Sequence, residues 1–92
     1  MATSNYANGS ISVTSTAALA LTIWPGQSVT IQNVGSAAVY LGGPTVTTSG
    51  STIGYSLANG TSITLPAPAS QPQQLYAIAA AAQTLVYLVS HN

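Results

Sequence analysis

No lysine, arginine, aspartate or glutamate occurs in these 92 residues, and His91 is the one side chain that titrates near neutral pH. An ordinary soluble domain is about 25% charged. Salt bridges therefore cannot hold this fold together, and no strand carries a charge to keep it from its neighbours. Carboxylate dyads, lysine Schiff bases, arginine clamps and Asp or Glu metal sites are excluded by composition, and most enzyme chemistry goes with them. There is no cysteine either, so disulfides, thiolate nucleophiles and zinc knuckles are excluded too, which leaves the redox compartment open.

Alternation of apolar and small polar residues is the remaining signal, and it has the period of strands. Residues 10–16 (SISVTST) place Ile11 and Val13 on one face. Leu19, Leu21 and Ile23 continue the pattern to Trp24, where Pro25-Gly26 turns the chain. Residues 28–34 (SVTIQNV) place Val29 and Ile31 together, and Gly35-Ser36 leads into 37–41 as a hairpin arm that Gly42-Gly43-Pro44 ends. Residues 45–48 are β-rich, and a flexible SGSTIG loop leads to Tyr55. Asn59-Gly60 predicts a type I′ hairpin turn with positive φ at both residues, followed by a strand over 61–65. The proline-rich stretch 66–74 reads as an extended connection over one end.

Residues 77–85 (AIAAAAQTL) hold four consecutive alanines with high helix propensity. The segment is short, lacks an N-cap and sits between LYAI and TLVYLVS, two runs typical of strands. It is expected to form a hairpin with its tip near 80–83, its alanines keeping one side of the sheet thin. The whole reads as an all-β chain with no significant helix: a small, jelly-roll-like β-sandwich of about eight short antiparallel strands. A single domain over 10–92 is expected to follow an N-terminal arm over 1–9.

A chain of this size buries a little over ~60% of its unfolded surface, so oligomerisation is a natural supplement to its core. No signal peptide is expected, because MATSNYANGS has no positive n-region. No membrane span is expected either: the apolar run 17–24 falls short of about 20 residues and contains Thr22.

The succession SVTIQNVGSAAVYLGG, TVTTS, GYSLANGTSITL and LYAIAAAAQTLVYLV, over residues 28–89, resembles a small β-domain that recurs in virion proteins of tailed bacteriophages, especially those of actinobacterial hosts. Three presumed hairpins carry the likeness: NVGSAAVYLGG, GYSLANGTSITL and the closing LYAIAA run. The resemblance implies a structural role as a head decoration protein or a tail or fibre module, without enzymatic activity. Two departures stand out: such domains often carry some charge, and their last turn commonly contains Gly where this chain has Ala and Gln.

Individual sites add little chemistry. His91 has no partner for a metal or a catalytic base, and a serine nucleophile lacks any other base. Asn8-Gly9-Ser10 and Asn59-Gly60-Thr61 match the N-glycosylation pattern but are better read as turns, and Gly42-Gly43-Pro44 lacks the lysine of a phosphate loop. Nucleic-acid binding is not expected without Lys or Arg. The aromatic residues Tyr6, Trp24, Tyr40, Tyr55, Tyr76 and Tyr87 are the candidate interface residues, with Tyr40 and its small neighbours expected to face another chain.

Neutral surfaces rich in Thr, Ser, Ala and Gln neither repel at long range nor bury ions on contact. Interfaces are depleted in Lys, Glu and Asp at their centres, so the whole chain has interface-like composition. The expectation is a bacteriophage capsid decoration protein, a homo-oligomer and by analogy a trimer, bound without cofactors to the major capsid protein or another virion protein. It would reside in the virion, assembled in the host cytoplasm. The alternatives are a tail or fibre module that binds host carbohydrate through Trp24 and exposed tyrosines, and an engineered charge-free scaffold.

Overall fold

The computed structural model describes residues 6–66 and 68–91, the last as backbone only. Among them are eight strands and no helix: β1 (Ala7–Val13), β2 (Ala18–Ile23), β3 (Gln27–Asn33), β4 (Val39–Gly42), β5 (Tyr55–Leu57), β6 (Ser62–Leu65), β7 (Gln73–Ala79) and β8 (Gln83–His91). They form two four-stranded sheets, β1-β8-β3-β6 and β2-β7-β4-β5. All pairings between named strands are antiparallel.

The order has a simple origin. β1 pairs with β8, β2 with β7, β3 with β6 and β4 with β5, as in one long hairpin folded at the β4–β5 connection. Rolling that hairpin brings β3 beside β8 and β4 beside β7. This is the eight-stranded jelly roll, and the expected sandwich is present with its strand count.

The three presumed hairpins are not hairpins. β3 and β4, β5 and β6, and β7 and β8 each lie in different sheets, so the turns between them are arches across the sandwich. Only β4 and β5 are consecutive and paired. Turn residues report a chain reversal, and the reversal is the same whether the next strand joins its predecessor's sheet or the opposite one.

The Asn59-Gly60 turn differs for a related reason. Gly60 has φ +79°, but among the described residues, Asn59 included, none other than glycine has positive φ, so the turn is not type I′. With Thr61 N–H donating to Ala58 C=O at 3.1 Å, the positive φ at the third position is that of a type II turn, free of the hairpin twist that demands I′.

Further boundaries shift. β1 begins at Ala7, inside the stretch expected as an arm over 1–9, and residues 1–5 lie outside the described part. The β-rich run 45–48 yields an isolated bridge, Thr47 with Ile53, in place of a strand. That loop is tied to itself, Thr47 N–H donating to Thr52 C=O and Gly54 N–H to Thr47 C=O, both at 3.1 Å. The alanine stretch does reverse as a non-helical tip at 80–82, but Ala77 and Ala79 are buried in the core and do not thin an outer face.

The core lies between the sheets. Ile31, Leu85, Val29 and Val39 are its largest fully buried apolar side chains, joined by Val13, Ile23, Leu41, Leu57 and Val89. Two buried polar residues stand beside them. Asn33 donates through Nδ2 to Ala37 C=O (2.8 Å) and Leu57 C=O (2.9 Å), and its Oδ1 accepts from Gly35 N–H at 2.9 Å. Gln83 Oε1 accepts from Ser36 N–H at 2.8 Å and Ala37 N–H at 3.2 Å.

Together these amides replace the ladder bonds that the β3–β4 arch gives up as it leaves one sheet for the other. Gly35 is favoured by closeness: a Cβ there would run into Gln83 Oε1, which its bonds to Ser36 and Ala37 N–H hold in place. Gln83, at the start of β8, thus holds the neighbouring β3–β4 arch.

Candidate functional site: the outer sheet faces

The solvent face of an antiparallel sheet normally alternates to polar residues. The β1-β8-β3-β6 sheet largely obeys. Its outer rows run Asn8, Leu88, Thr30, Thr64 and Ser10, Val86, Gln32, Ser62. Ser28 Oγ pairs with Ser90 Oγ at 3.0 Å, and Thr30 Oγ1 with Thr64 Oγ1 at 3.1 Å, so these hydroxyls satisfy one another across strands. A shallow open trough of about 600 Å³ runs over Val86 and Leu88, and Tyr6 borders its continuation beside Leu88 and Thr64.

The β2-β7-β4-β5 sheet does not obey. Val39 and Leu41 are buried, which turns Tyr40 outward; Ala77 and Ala79 are buried, which turns Tyr76 and Ile78 outward. The outer rows therefore read Leu19, Tyr76, Gly42 and Ile78, Tyr40, Ser56, with Thr22 and Gln74 beyond them. Tyr40 and Tyr76 stand on adjacent strands as diagonal neighbours. The absence of a side chain on Gly42 makes room for Val46 of the β4–β5 loop, which is buried there, so that loop covers the strip beside Tyr76. This face presents aliphatic and aromatic groups, a phenol hydroxyl at each tyrosine, and no charge.

The six expected aromatic residues are thus not one site. Tyr40 and Tyr76 come together, with Leu19 and Ile78 as companions. Alternation groups Leu19 with Leu21 and Ile23, but the register shift between Leu19 and Leu21 turns Leu19 to the outer face, where it is exposed. Trp24 is exposed at the β2–β3 turn, its N–H bonded to Gln27 Oε1 at 3.2 Å. Tyr55 is exposed at the start of the edge strand β5, and Tyr6 precedes β1.

Tyr87 has a different role. It lies on the inner face opposite Ile31 and packs against the core. Its ring covers Gly9 on β1, where a Cβ would fall 2.6 Å from Oη and 2.8 Å from Cζ. A cross-strand aromatic over an edge glycine pins register. Gly9→Val is expected to displace the ring and cost about 1–3 kcal/mol, seen as a lower melting temperature with loss of near-ultraviolet tyrosine dichroism. An unchanged tyrosine signal would remove this role. The side chain of His91, raised above as a titratable candidate, lies outside the described residues.

Fold and surface together define an eight-stranded jelly roll whose outer faces are neutral, one of them carrying the exposed Leu19 and the half-buried Tyr40, Tyr76 and Ile78. Comparison with protein-family models, curated proteins and solved structures finds no match for this chain. Among the described residues no helix is long and apolar enough to cross a membrane.

Proposed function

We propose that this chain is a structural, non-enzymatic virion protein of a tailed bacteriophage that decorates the outside of the capsid and reinforces contacts between capsomers. The observation that carries the binding role is the set of apolar residues Leu19, Tyr76, Ile78 and Tyr40 in two adjacent outer rows of an uncharged sheet. A partner surface docks there by excluding water from aliphatic and aromatic area, with no ion to desolvate. The virion assignment draws on the resemblance of residues 28–89. Chemistry limited to hydroxyls, amides and phenols supports holding over catalysis.

Imaging the intact particle tests the assignment: density for this chain over the outer shell supports it, and density confined to the tail overturns it. Binding to shells assembled without the chain is expected to change less than about threefold between low and moderate salt, since no charged side chain releases counterions. Steep shedding of the protein as ionic strength rises would overturn the uncharged-interface mechanism.

A second reading, a tail or fibre module for host carbohydrate, is favoured by one observation. Trp24 is exposed at a strand end, beyond the neutral hydrogen-bonding groups of Thr22 and Gln74. A glycan array with wild type and Trp24→Ala decides it: binding that Trp24→Ala loses supports sugar recognition, and no binding by either removes it.

A further inference from the structure

The sheets end in four edge strands: β1 and β6 in one, β2 and β5 in the other. An edge is open to strand addition unless it is short, irregular, charged or interrupted by proline. β2 has a register shift between Leu19 and Leu21. β5 is three residues long. β6 is four residues long and runs into Pro66 and Pro68.

β1 has none of these protections. It runs seven residues, ANGSISV, without proline, bulge or charge, in unbroken register with β8 from Ala7↔Val89 to Val13↔Gln83. Tyr87 over Gly9 holds it straight against β8. Among the described residues no other strand pairs with it, so the backbone groups directed away from β8 have no ladder partner. Ile11, on its inner face, is only half-buried at the mouth of the sandwich.

We propose that β1 pairs with the β1 of a second copy, antiparallel about a two-fold axis, so that two four-stranded sheets become one continuous sheet. The occupant follows from the edge itself. Unpaired N–H and C=O groups of an extended strand are matched by another extended edge, and β1 is the one unblocked edge among the described strands. Because both partners present the same strand, the contact is self-complementary and closes at two copies instead of growing into a fibre. Asn8, Ser10 and Ser12 can stand opposite their counterparts without the repulsion that like charges would impose.

The register is also determined. Inner faces stay on one side only when residues of equal parity pair, and full overlap of the seven residues centres the axis on Ser10. Ser10 then faces Ser10 of the second copy, Asn8 faces Ser12, and Ile11 stands opposite Gly9, beside the Tyr87 ring that covers it, and loses exposure. This contact is two-fold, unlike the trimer implied by analogy with other virion modules.

The inference adds a partner to the assembly reading and stands apart from it in the test. Sedimentation velocity is expected to show a dimer for wild type and a monomer for Ser10→Lys, with unchanged far-ultraviolet dichroism, because Ser10 is exposed and lysine blocks the edge. The chain has no cysteine, so Ser10→Cys is expected to oxidise to a covalent dimer while Ser62→Cys, on the opposite edge β6, does not. A wild-type monomer up to its solubility limit overturns the contact, as does a dimer that survives Ser10→Lys or equal cross-linking from Ser62→Cys. Capture of a different strand-bearing protein with wild type left monomeric overturns it too. A β1 dimer that leaves shells bare removes only the virion reading, and a monomer that decorates them removes only this contact.

Discussion

Asn33→Leu is expected to lower the melting temperature by upwards of about 12 °C, although leucine is apolar and has the same branching. The fully buried amide serves Gly35 N–H, Ala37 C=O and Leu57 C=O. Leucine abandons all three, the Leu57 bond buried and the other two part-buried, at about 1–3 kcal/mol for each orphaned group. A domain of this length loses roughly 4–8 °C per kcal/mol. Such a loss is a large part of the ~5–15 kcal/mol that holds a small domain folded.

The same arch offers a cross-check. Gln83→Leu frees Ser36 N–H and Ala37 N–H and is expected to cost less, because those groups lie nearer the surface. The two substitutions together are expected to fall short of their sum, since each loosens the same arch over 34–38. Calorimetry of both single variants and the double variant checks this. A melt of Asn33→Leu within a few degrees of wild type would mean that packing alone holds the arch.

Asn33 also marks where the fold was legible in sequence and where it was not. The alternation around Val29, Ile31, Val39 and Leu41 identified strands and their inner faces, because period-2 burial is a local property of the chain. Which strand pairs with which is not local. Gly35-Ser36 and Asn59-Gly60 signal reversals equally well for a hairpin and for an arch, and the choice is made by contacts such as Asn33 to Leu57, 24 positions apart. Asn33 and Gln83 themselves read as ordinary polar residues of a strand end and a hairpin tip. Their partners become visible only when β3, β4 and β8 are brought together.

The candidate site was half legible for the same reason. Tyr40 follows directly from buried neighbours on either side, and Tyr76 follows likewise once the strand at 73–79 is known. Tyr87 obeys the same alternation but with opposite parity, so an aromatic residue alone does not say which face it serves. Leu19 reads as core by its alternation with Leu21 and Ile23, and Ile78, a single apolar residue at a strand position, looks like core too. Only the pairing of β2 with β7 and of β7 with β4 sets them beside the two tyrosines on the outside.

Tyr40→Lys is expected to weaken shell binding at least about 100-fold while leaving the free protein folded. Tyr40 occupies the middle of the outer row between Ser56 and Ile78. In the free protein a lysine there lays its methylene stem on the sheet and lifts its ammonium into water, so stability changes by no more than about 1 kcal/mol. In the docked state the partner closes over that exit, and an unpaired buried charge costs several kcal/mol. With about 1.4 kcal/mol for each tenfold, a cost of about 3 kcal/mol already reaches 100-fold. Tyr40→Phe keeps the ring and is expected to bind within about tenfold of wild type, because it removes one hydroxyl. Ser51→Lys adds the same charge in the exposed β4–β5 loop and is expected to bind as wild type does. Full binding by Tyr40→Lys would move the contact off this face, and equal loss by Ser51→Lys would show that added charge anywhere on the chain, and not at the apolar row, prevents docking.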